Sequence, residues 1–187
     1  MAYILASKSP RRSAYLTEMG IPFRIVTAET DESLDGDVPL REGVRLLACR
    51  KASAVVPLVS KSDLVIAADT LVELDGRPLG KPRDEREAGE MLRRLSGRAH
   101  RVHTGVAVLL GERLLSATET TTVFFRALSD AEIDAYIASG EPMDKAGAYG
   151  IQGQASAFVS RIEGELDTVV GLPCARLAEM IREIEDE

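Results

Sequence analysis

The apolar residues in the N-terminal part of the chain recur at intervals that predict short strands and amphipathic helices. The strands are predicted at residues 3–6, 23–26 and 64–68, and the helices at residues 10–20 and 39–56. Ser9 and Pro10 supply an N-cap and a favoured first position for the first helix, and Gly20 ends it. Residues 64–68 are all apolar, which suits a strand buried on both faces, and Asp69 follows at its predicted carboxyl end.

The C-terminal part continues the same alternation of helix and strand signals. Strands are predicted at residues 71–74, 77–79, 101–110, 114–125 and 158–162, and helices at residues 84–95 and 129–139 and from residue 173 onwards. Asp75 and Gly76 form a hairpin signal, and the two long Val- and Thr-rich strands are expected to pair antiparallel. Residues 29–37 and 142–153 are predicted to be loops.

This alternation, without an internal repeat or a low-complexity linker, predicts an α/β fold with a mixed parallel and antiparallel sheet flanked by helices. The chain has 187 residues, of which 45% are apolar. That length and composition suit one compact domain, so residues 1–187 are predicted to form a single domain.

Charge and composition exclude several classes of function. The net charge of -7 argues against a basic face for a nucleic acid polymer, whereas a small anionic ligand needs only a local group of cations. No apolar run is long enough to span a membrane, and the first residues lack the layout of a signal peptide, so a cytoplasmic location is expected. Cys49 and Cys174 have no partner spacing for zinc or a disulfide framework and are expected to be reduced thiols.

Residues 7–12, Ser-Lys-Ser-Pro-Arg-Arg, stand between a predicted strand and a helix start. Free backbone N–H groups, the helix dipole, hydroxyl groups and cations converge at such a position, which favours binding of a phosphate group. The alternative is a capped surface helix whose arginines are simply solvated.

Two acidic residues are candidate metal ligands. Asp69 follows a buried strand, where an exposed carboxylate can bind a metal or take a proton, and Glu32 can supply a second carboxylate. The alternatives are a turn residue that bonds its own backbone at Asp69 and a solvated acidic loop around Glu32.

Lys51 and Lys81 are candidate phosphate contacts. Lys51 lies at helical spacing from Leu47 and Val55, so its stem is expected at the buried face while its ammonium reaches water or an anion. Lys81 lies in a tight Gly-Lys-Pro loop, which is no Walker motif because Pro82 replaces the required hydroxyl. Ordinary surface lysines remain the alternative for both.

Residues 144–153 contain three glycines at a spacing of three, together with Lys145, Tyr149 and Gln152. Glycines of this kind would allow the backbone to approach a ligand closely, and Gln152 could pair with the polar edge of a base. The alternative is a flexible loop. His100 and His103 are expected on opposite faces of a strand and are interpreted as structural.

Taken together, these segments resemble the Maf family of nucleotide pyrophosphatases. The resemblance is carried by residues 5–12, 31–32, 68–70, 80–82, 100–105, 144–153 and 164–173. It implies a Maf/ITPase-like fold with a deep nucleotide cleft, a homodimer, a divalent cation such as Mg²⁺, Mn²⁺ or Co²⁺, and hydrolysis of a nucleoside triphosphate at the α-phosphorus. His103 departs from the aromatic residue expected at its position in the family, which concerns packing.

The Ser-Pro-Arg-Arg, Asp-Thr and Tyr-Gly-Ile-Gln-Gly segments resemble the branch that acts on dTTP and UTP, with modified pyrimidine nucleotides as further candidate substrates. The sister branch, which acts on 7-methyl-GTP, carries Tyr after the first Pro and Gln after the Asp. The resemblance implies that Asp69 accepts a proton and that Arg12, Thr70 and Gln152 take part in base selection. It also implies that Ser7, Glu32, Lys51 and Lys81 bind the phosphates or the metal. Arg11 and Lys145, cations in the same segments, are further candidates for substrate binding.

Two other classes of function stay open on the sequence. A nucleotide-binding regulator without catalysis, for example one acting in cell division, would bind the same ligands. A metal-dependent phosphatase for monoesters would release inorganic phosphate and would need no residues that read a base.

Overall fold

The computed structural model of the protein describes residues 1–33, 36 and 38–186. Its strands are β1 (Tyr3–Leu5), β2 (Phe23–Ile25), β3 (Leu64–Leu74), β4 (Arg77–Leu79), β5 (Ala99–Leu110), β6 (Arg113–Phe125) and β7 (Val159–Glu163). Its α-helices are α1 (Pro10–Glu18), α2 (Leu40–Ala54), α3 (Glu85–Leu95), α4 (Asp130–Ala138), α5 (Leu166–Val170) and α6 (Cys174–Glu185). No helix among the described residues is long and apolar enough to cross a membrane.

The strands form one sheet in the order β2-β1-β3-β5-β6-β7, and β4 pairs with β3. Strand β1 is parallel to both β2 and β3, whereas β3 with β4 and β6 with β7 are antiparallel pairs. The prediction of a mixed α/β sheet flanked by helices is therefore confirmed.

The chain divides into two compact units, which we describe separately. The first unit comprises Met1–Thr70, Thr104–Glu119 and Gly171–Glu187, and the second comprises Leu71–His103 and Thr120–Val170. The prediction that residues 1–187 behave as a single domain stays a prediction.

Alternate residues of β3 supply two apolar clusters in the first unit. Leu64, Ile66 and Ala68 join one cluster, and Val65 and Ala67 join the other. All five are fully buried. The prediction that residues 64–68 are buried on both faces is therefore confirmed, and the two faces differ because successive strand side chains point to opposite sides.

The second unit has a core of its own, in which aromatic rings meet edge to face. The ring of Phe125 lies 4.9 Å from that of Tyr149 and 6.1 Å from that of Phe158, and the ring of Tyr136 lies 5.2 Å from that of Phe158. Such T-shaped contacts stabilise a pair by about 0.5–1.5 kcal/mol beyond the burial of its area.

The predicted helix starts and the hairpin are present. The side chains of Ser9, Asp84 and Ser129 cap α1, α3 and α4, and Ser129 completes a capping box with Glu132. Asp75, with φ of 55°, and Gly76, with φ of 73°, form the turn between β3 and β4. These features are local in sequence, which is why the residue pattern identifies them.

The prediction that a strand ends before Asp69 is wrong, because β3 runs without a break from Leu64 to Leu74. Its pairing with β1 aligns Ile66 with Leu5, and its pairing with β4 begins at Val72. The backbone of β3 therefore exchanges one partner for another, and Asp69 lies between the two pairing segments. Of the loop predicted at residues 29–37, Leu34, Asp35 and Asp37 lie outside the described residues.

Candidate active site

Lys51 joins two acidic side chains in the first unit. Its Nζ lies 2.8 Å from Oε1 of Glu32, and it also bonds Oδ1 of Asp69. The side chains of Lys51 and Asp69 are only 16% and 17% exposed, whereas that of Glu32 is 65% exposed. The structure thus brings three of the predicted site residues together around one ammonium group.

Gly105 determines how closely the helix that carries Lys51 approaches the sheet. A Cβ atom at Gly105, in β5, would lie 2.6 Å from the carbonyl carbon of Val44 and 2.8 Å from Cα of Arg45, both in α2. Backbone atoms cannot move aside as a flexible side chain can, so only glycine fits at this contact. The sequence motif contains Gly105, but its role did not follow from the motif. The available signal was a lone glycine inside a Val- and Thr-rich strand.

Arg12 is the centre of a second group in the first unit. Its Nε donates to the carbonyl oxygen of Gly171 at 2.8 Å, and its two terminal nitrogens donate to Oγ of Ser7 at 3.1 Å and to Oγ1 of Thr70 at 3.2 Å. The interpretation of Arg12 as a solvated surface residue is therefore wrong. Burial lowers the pKa of the Arg12 guanidinium, and the charge of Asp69 acts in the opposite direction and raises that pKa.

Thr70 and Gly171 fit tightly together beside Arg12. Gly171 has φ of +117°, and a Cβ atom there would lie 2.9 Å from Oγ1 of Thr70. Both the backbone conformation and the lack of space exclude a side chain at this position. The sequence motif at residues 164–173 includes Gly171, but the contact with Thr70 joins residues far apart in the chain and has no local signal.

In the second unit, the predicted ligand residues occupy different environments. Lys81 is exposed in the loop after β4, and Gly80 in the same loop accepts a hydrogen bond from the N–H of Gly147 at 3.0 Å. Nζ of Lys145 donates to the carbonyl oxygen of Glu141 at 2.6 Å and to Oδ1 of Asp144 at 2.7 Å. Gln152 is exposed in the turn after Gly150.

The carboxylate of Glu141 organises the glycine-rich segment. One of its oxygens accepts from the hydroxyl of Tyr136 at 2.9 Å, and the other accepts from the N–H of Gln154 at 3.1 Å. The hydroxyl of Tyr136 in turn accepts from the N–H of Gly150 at 3.1 Å. Glu141 was not a candidate on the sequence, because a single acidic residue in a turn has no distinctive pattern.

The glycines of this segment face neighbouring protein groups. A Cβ atom at Gly150 would lie 2.7 Å from Cε of Lys145, and one at Gly153 would clash with the carboxylate of Glu141. At Gly147, with φ of +71°, a Cβ atom would lie 3.1 Å from the side chain of Val72. At these three positions the glycine backbone approaches a protein side chain closely, and its expected approach to a ligand stays a prediction.

The two histidines bind different partners within the second unit. Nε2 of His100 lies 2.8 Å from the hydroxyl of Tyr149, and burial lowers the His100 pKa to about 4. His103 lies 2.8 Å from Oγ1 of Thr120 through Nδ1 and 2.8 Å from Oε2 of Glu73 through Nε2. Both side chains are buried and hydrogen-bonded, in agreement with their interpretation as structural residues.

Comparison with known proteins decides the family. Residues 2–184 match the family described as Maf-like protein. The chain belongs to the Maf family. The predicted resemblance is therefore confirmed, and the match extends over nearly all of the chain.

Two curated relatives of this Maf protein have closely similar lengths. A protein of Pelotomaculum thermopropionicum named "dTTP/UTP pyrophosphatase" is 51% identical over 181 residues, which cover 96% of this chain and 94% of the relative. A protein of Bacillus mycoides with the same name is 47% identical over 184 residues, which cover 98% of this chain and 96% of the relative. The branch to which the motifs are similar is thus the branch named by these relatives.

A solved structure supports the fold of the Maf chain. The Staphylococcus aureus Ham1 protein superposes with a TM-score of 0.51 at 13% sequence identity, covering 99% of this chain and 100% of that one. At this identity the likeness concerns the fold alone.

The predicted site residues of the Maf chain fall into two sets. The first unit holds Ser7, Arg11, Arg12, Glu32, Lys51, Asp69 and Thr70, and the second holds Lys81, Lys145 and Gln152. Within the first set, contacts join Glu32, Lys51 and Asp69. Contacts also join Ser7, Arg12 and Thr70. Since Asp69 and Thr70 are consecutive residues, the two groups are neighbours on β3.

Proposed function

We propose that the chain hydrolyses dTTP and UTP to the nucleoside monophosphate and pyrophosphate. The observation that carries this proposal is the group of Glu32, Lys51 and Asp69, in which two carboxylates contact one largely buried ammonium group. The relatives that are 51% and 47% identical are both named dTTP/UTP pyrophosphatase.

The carboxylates of Glu32 and Asp69 suit a divalent cation. Hard cations such as Mg²⁺ and Mn²⁺ prefer oxygen ligands, and Mg²⁺ is often bound by one or two carboxylates together with substrate phosphates. Both carboxylates contact the same ammonium group, so they already face a common position that favours positive charge. Among residues 1–33, 36 and 38–186, no group of three His, Cys, Asp or Glu side chains could hold a metal ion.

A bound divalent cation would supply charge neutralisation at the phosphate oxygens. Glu32 and Asp69 would hold it, and this role requires the ammonium of Lys51 to turn away from one or both carboxylates. Lys51 would then neutralise a phosphate oxygen, as a flexible lysine side chain can.

The reaction requires one proton acceptor. The oxygen of a water molecule forms a bond to the α-phosphorus, and the bond from that phosphorus to the oxygen that bridges to the β-phosphorus breaks. Pyrophosphate leaves with the bridging oxygen and the electron pair of the broken bond. Asp69 takes the proton from the attacking water, the role of a general base.

Several cationic side chains would bind the triphosphate. Three of the five N–H groups of Arg12 are bonded to described residues, and we propose that the other two donate to a phosphate oxygen. Arg11 and Lys81 would add positive charge. Lys145 would contribute only if it exchanged its bond with Asp144 for a bond with the ligand.

Thr70 and Gln152 would select the base by hydrogen bonding. Selection of this kind discriminates strongly, because a wrong base leaves buried polar groups unpaired. Modified pyrimidine nucleotides that keep the hydrogen-bonding edge of uracil are further candidate substrates. The deep nucleotide cleft, the homodimer and the cytoplasmic location that were expected from the sequence also stay predictions.

A product assay tests the proposal. Purified protein with Mg²⁺, Mn²⁺ or Co²⁺ is offered dTTP, UTP, CTP, 7-methyl-GTP and ATP separately, and pyrophosphate is resolved from phosphate. We expect monophosphate and pyrophosphate from dTTP and UTP. Release of inorganic phosphate alone would indicate a phosphatase, and tight binding without turnover would indicate a regulator.

A further inference from the structure

The hydroxyl group of Thr70 is bound from two sides within the first unit. A terminal nitrogen of Arg12 lies 3.2 Å from its oxygen, and Oγ1 of Thr104 lies 3.0 Å from it. Thr104 is in β5 and is fully buried. A buried hydroxyl in contact with a residue proposed to select the base can influence that selection without touching the substrate.

The number of hydrogen bonds that Thr70 can form limits what it offers to a ligand. A threonine hydroxyl has one O–H to donate and two lone pairs that accept, whereas arginine only donates. Arg12 therefore occupies one lone pair of Thr70. If Thr104 donates to the second lone pair, the O–H of Thr70 remains to donate to a ligand. If Thr70 donates to Thr104 instead, Thr70 can only accept a hydrogen bond from the ligand.

The surroundings hold these two hydroxyl groups in place. Gly105, next to Thr104, lies against the backbone of α2, where a Cβ atom would be 2.6 Å from the carbonyl carbon of Val44. Gly171 closes over Thr70, since a Cβ atom there would be 2.9 Å from Oγ1 of Thr70. Close packing of backbone on both sides restricts the relative positions of Thr70 and Thr104, which favours their hydrogen bond.

We propose that Thr104 is a positioning residue that donates to Thr70 and thereby directs the O–H of Thr70 towards the base. Uracil and thymine carry a carbonyl oxygen, an acceptor, at the position where cytosine carries an amino group, a donor. A Thr70 hydroxyl that can only donate to the ligand favours uracil and thymine over cytosine. This inference rests on the proposed function and extends it to a residue outside the predicted site.

The test compares kcat/KM for UTP with kcat/KM for CTP in four variants and the wild type. Thr104→Val and Thr104→Ala remove the hydroxyl, and Thr104→Ser keeps it. Thr118→Val is the matched control, because Thr118 is also buried in the first unit and donates to the carbonyl oxygen of Arg41 at 3.0 Å. We expect the ratio of kcat/KM for UTP to kcat/KM for CTP to fall about tenfold in Thr104→Val and Thr104→Ala, which corresponds to the loss of one hydrogen bond. Thr104→Ser and Thr118→Val should both keep the wild-type ratio.

The outcomes separate this inference from the proposed function. Equal losses on UTP and CTP in Thr104→Val, or a ratio that Thr104→Ser does not restore, would overturn the positioning role and leave the reaction intact. A wild type that releases pyrophosphate from no pyrimidine triphosphate would overturn the proposed function and this inference with it. The Thr104→Ala variant gives the same answer if the valine variant does not fold.

Discussion

The ammonium of Lys51 lies 2.8 Å from a carboxylate oxygen of Glu32 and also bonds the carboxylate of Asp69. Two negative charges thus share one positive charge at a point where two of the three side chains are largely buried. Such a group retains an excess of negative charge, which a divalent cation can balance better than an ammonium can. Lys51 and a metal ion are therefore expected to compete for the same carboxylates until a triphosphate gives Lys51 another partner.

Replacing Lys51 by methionine tests this competition directly. Without nucleotide, Lys51→Met should bind Mn²⁺ about tenfold more tightly than the wild type, because no ammonium occupies the position between the carboxylates. Titration of Mn²⁺ followed by electron paramagnetic resonance measures the affinity without any turnover. Lys61→Met, at an exposed lysine, is the control and should leave the affinity unchanged. Equal Mn²⁺ affinity in Lys51→Met and the wild type would contradict the competition.

Asp69→Asn should lower kcat for dTTP and UTP by roughly 10² to 10⁴, the usual contribution of a general base. Nucleotide binding should survive, because an amide keeps the size of the side chain. Steady-state kinetics and a binding titration with a non-hydrolysable triphosphate measure the two quantities separately. Asp75→Asn is a suitable control, since Asp75 is in the hairpin turn with φ of 55°, which asparagine adopts readily. Unchanged turnover in Asp69→Asn would remove Asp69 from the role of proton acceptor.

The sequence predicted Glu32 and Asp69 as a pair of metal ligands and Lys51 as a separate phosphate contact, but not that the ammonium of Lys51 joins the two carboxylates. Apolar spacing along α2 identifies the buried face beside Lys51, because that pattern is local. The meeting of these side chains depends instead on how closely α2 approaches β5 at Gly105, a tertiary contact between residues far apart in the chain. Thr104 was not predicted as a site residue for the same reason, since a threonine within a strand has no distinctive sequence pattern.

The end of a strand was predicted before Asp69 because the run of five apolar residues ends at Ala68. In the structure β3 continues, since pairing with β4 from Val72 onwards satisfies the backbone beyond the segment paired with β1. The residue pattern of β3 itself does not show that its pairing changes from the parallel partner β1 to the antiparallel partner β4. The helix caps at Ser9 and Asp84 were predictable because each depends on residues within one turn.

Gln152→Ala should flatten the preference among pyrimidine and purine triphosphates if Gln152 pairs with the base. Its matched control is Gln154→Ala, an exposed glutamine in the same segment whose backbone N–H, which the substitution keeps, bonds Glu141. Values of kcat/KM for dTTP, UTP, CTP and ATP in both variants give the comparison. We expect Gln154→Ala to keep the wild-type preference. The same preference in Gln152→Ala would assign base selection to residues other than Gln152.

His100 should make the protein less stable in mildly acidic solution. Burial lowers its pKa from 6.5 to about 4, so the unfolded chain binds a proton in a pH range where the folded chain does not. The contribution of His100 to the free energy of unfolding is fully present above pH 6.5. It falls by about 3 kcal/mol as the pH drops towards 4. His100 is 3% exposed, so screening by solvent reduces this figure little.

Urea unfolding at pH 7 and pH 4.5 measures the effect. Because carboxylates also titrate over this range, the informative quantity is the difference between the wild type and His100→Phe, which cannot take up the proton. The phenylalanine variant should lose about 2 kcal/mol less than the wild type between the two pH values. His103→Gln keeps His100 and should retain the acid sensitivity attributed to it. Equal losses in the wild type and His100→Phe would mean that His100 is protonated as easily in the folded protein as in the unfolded chain.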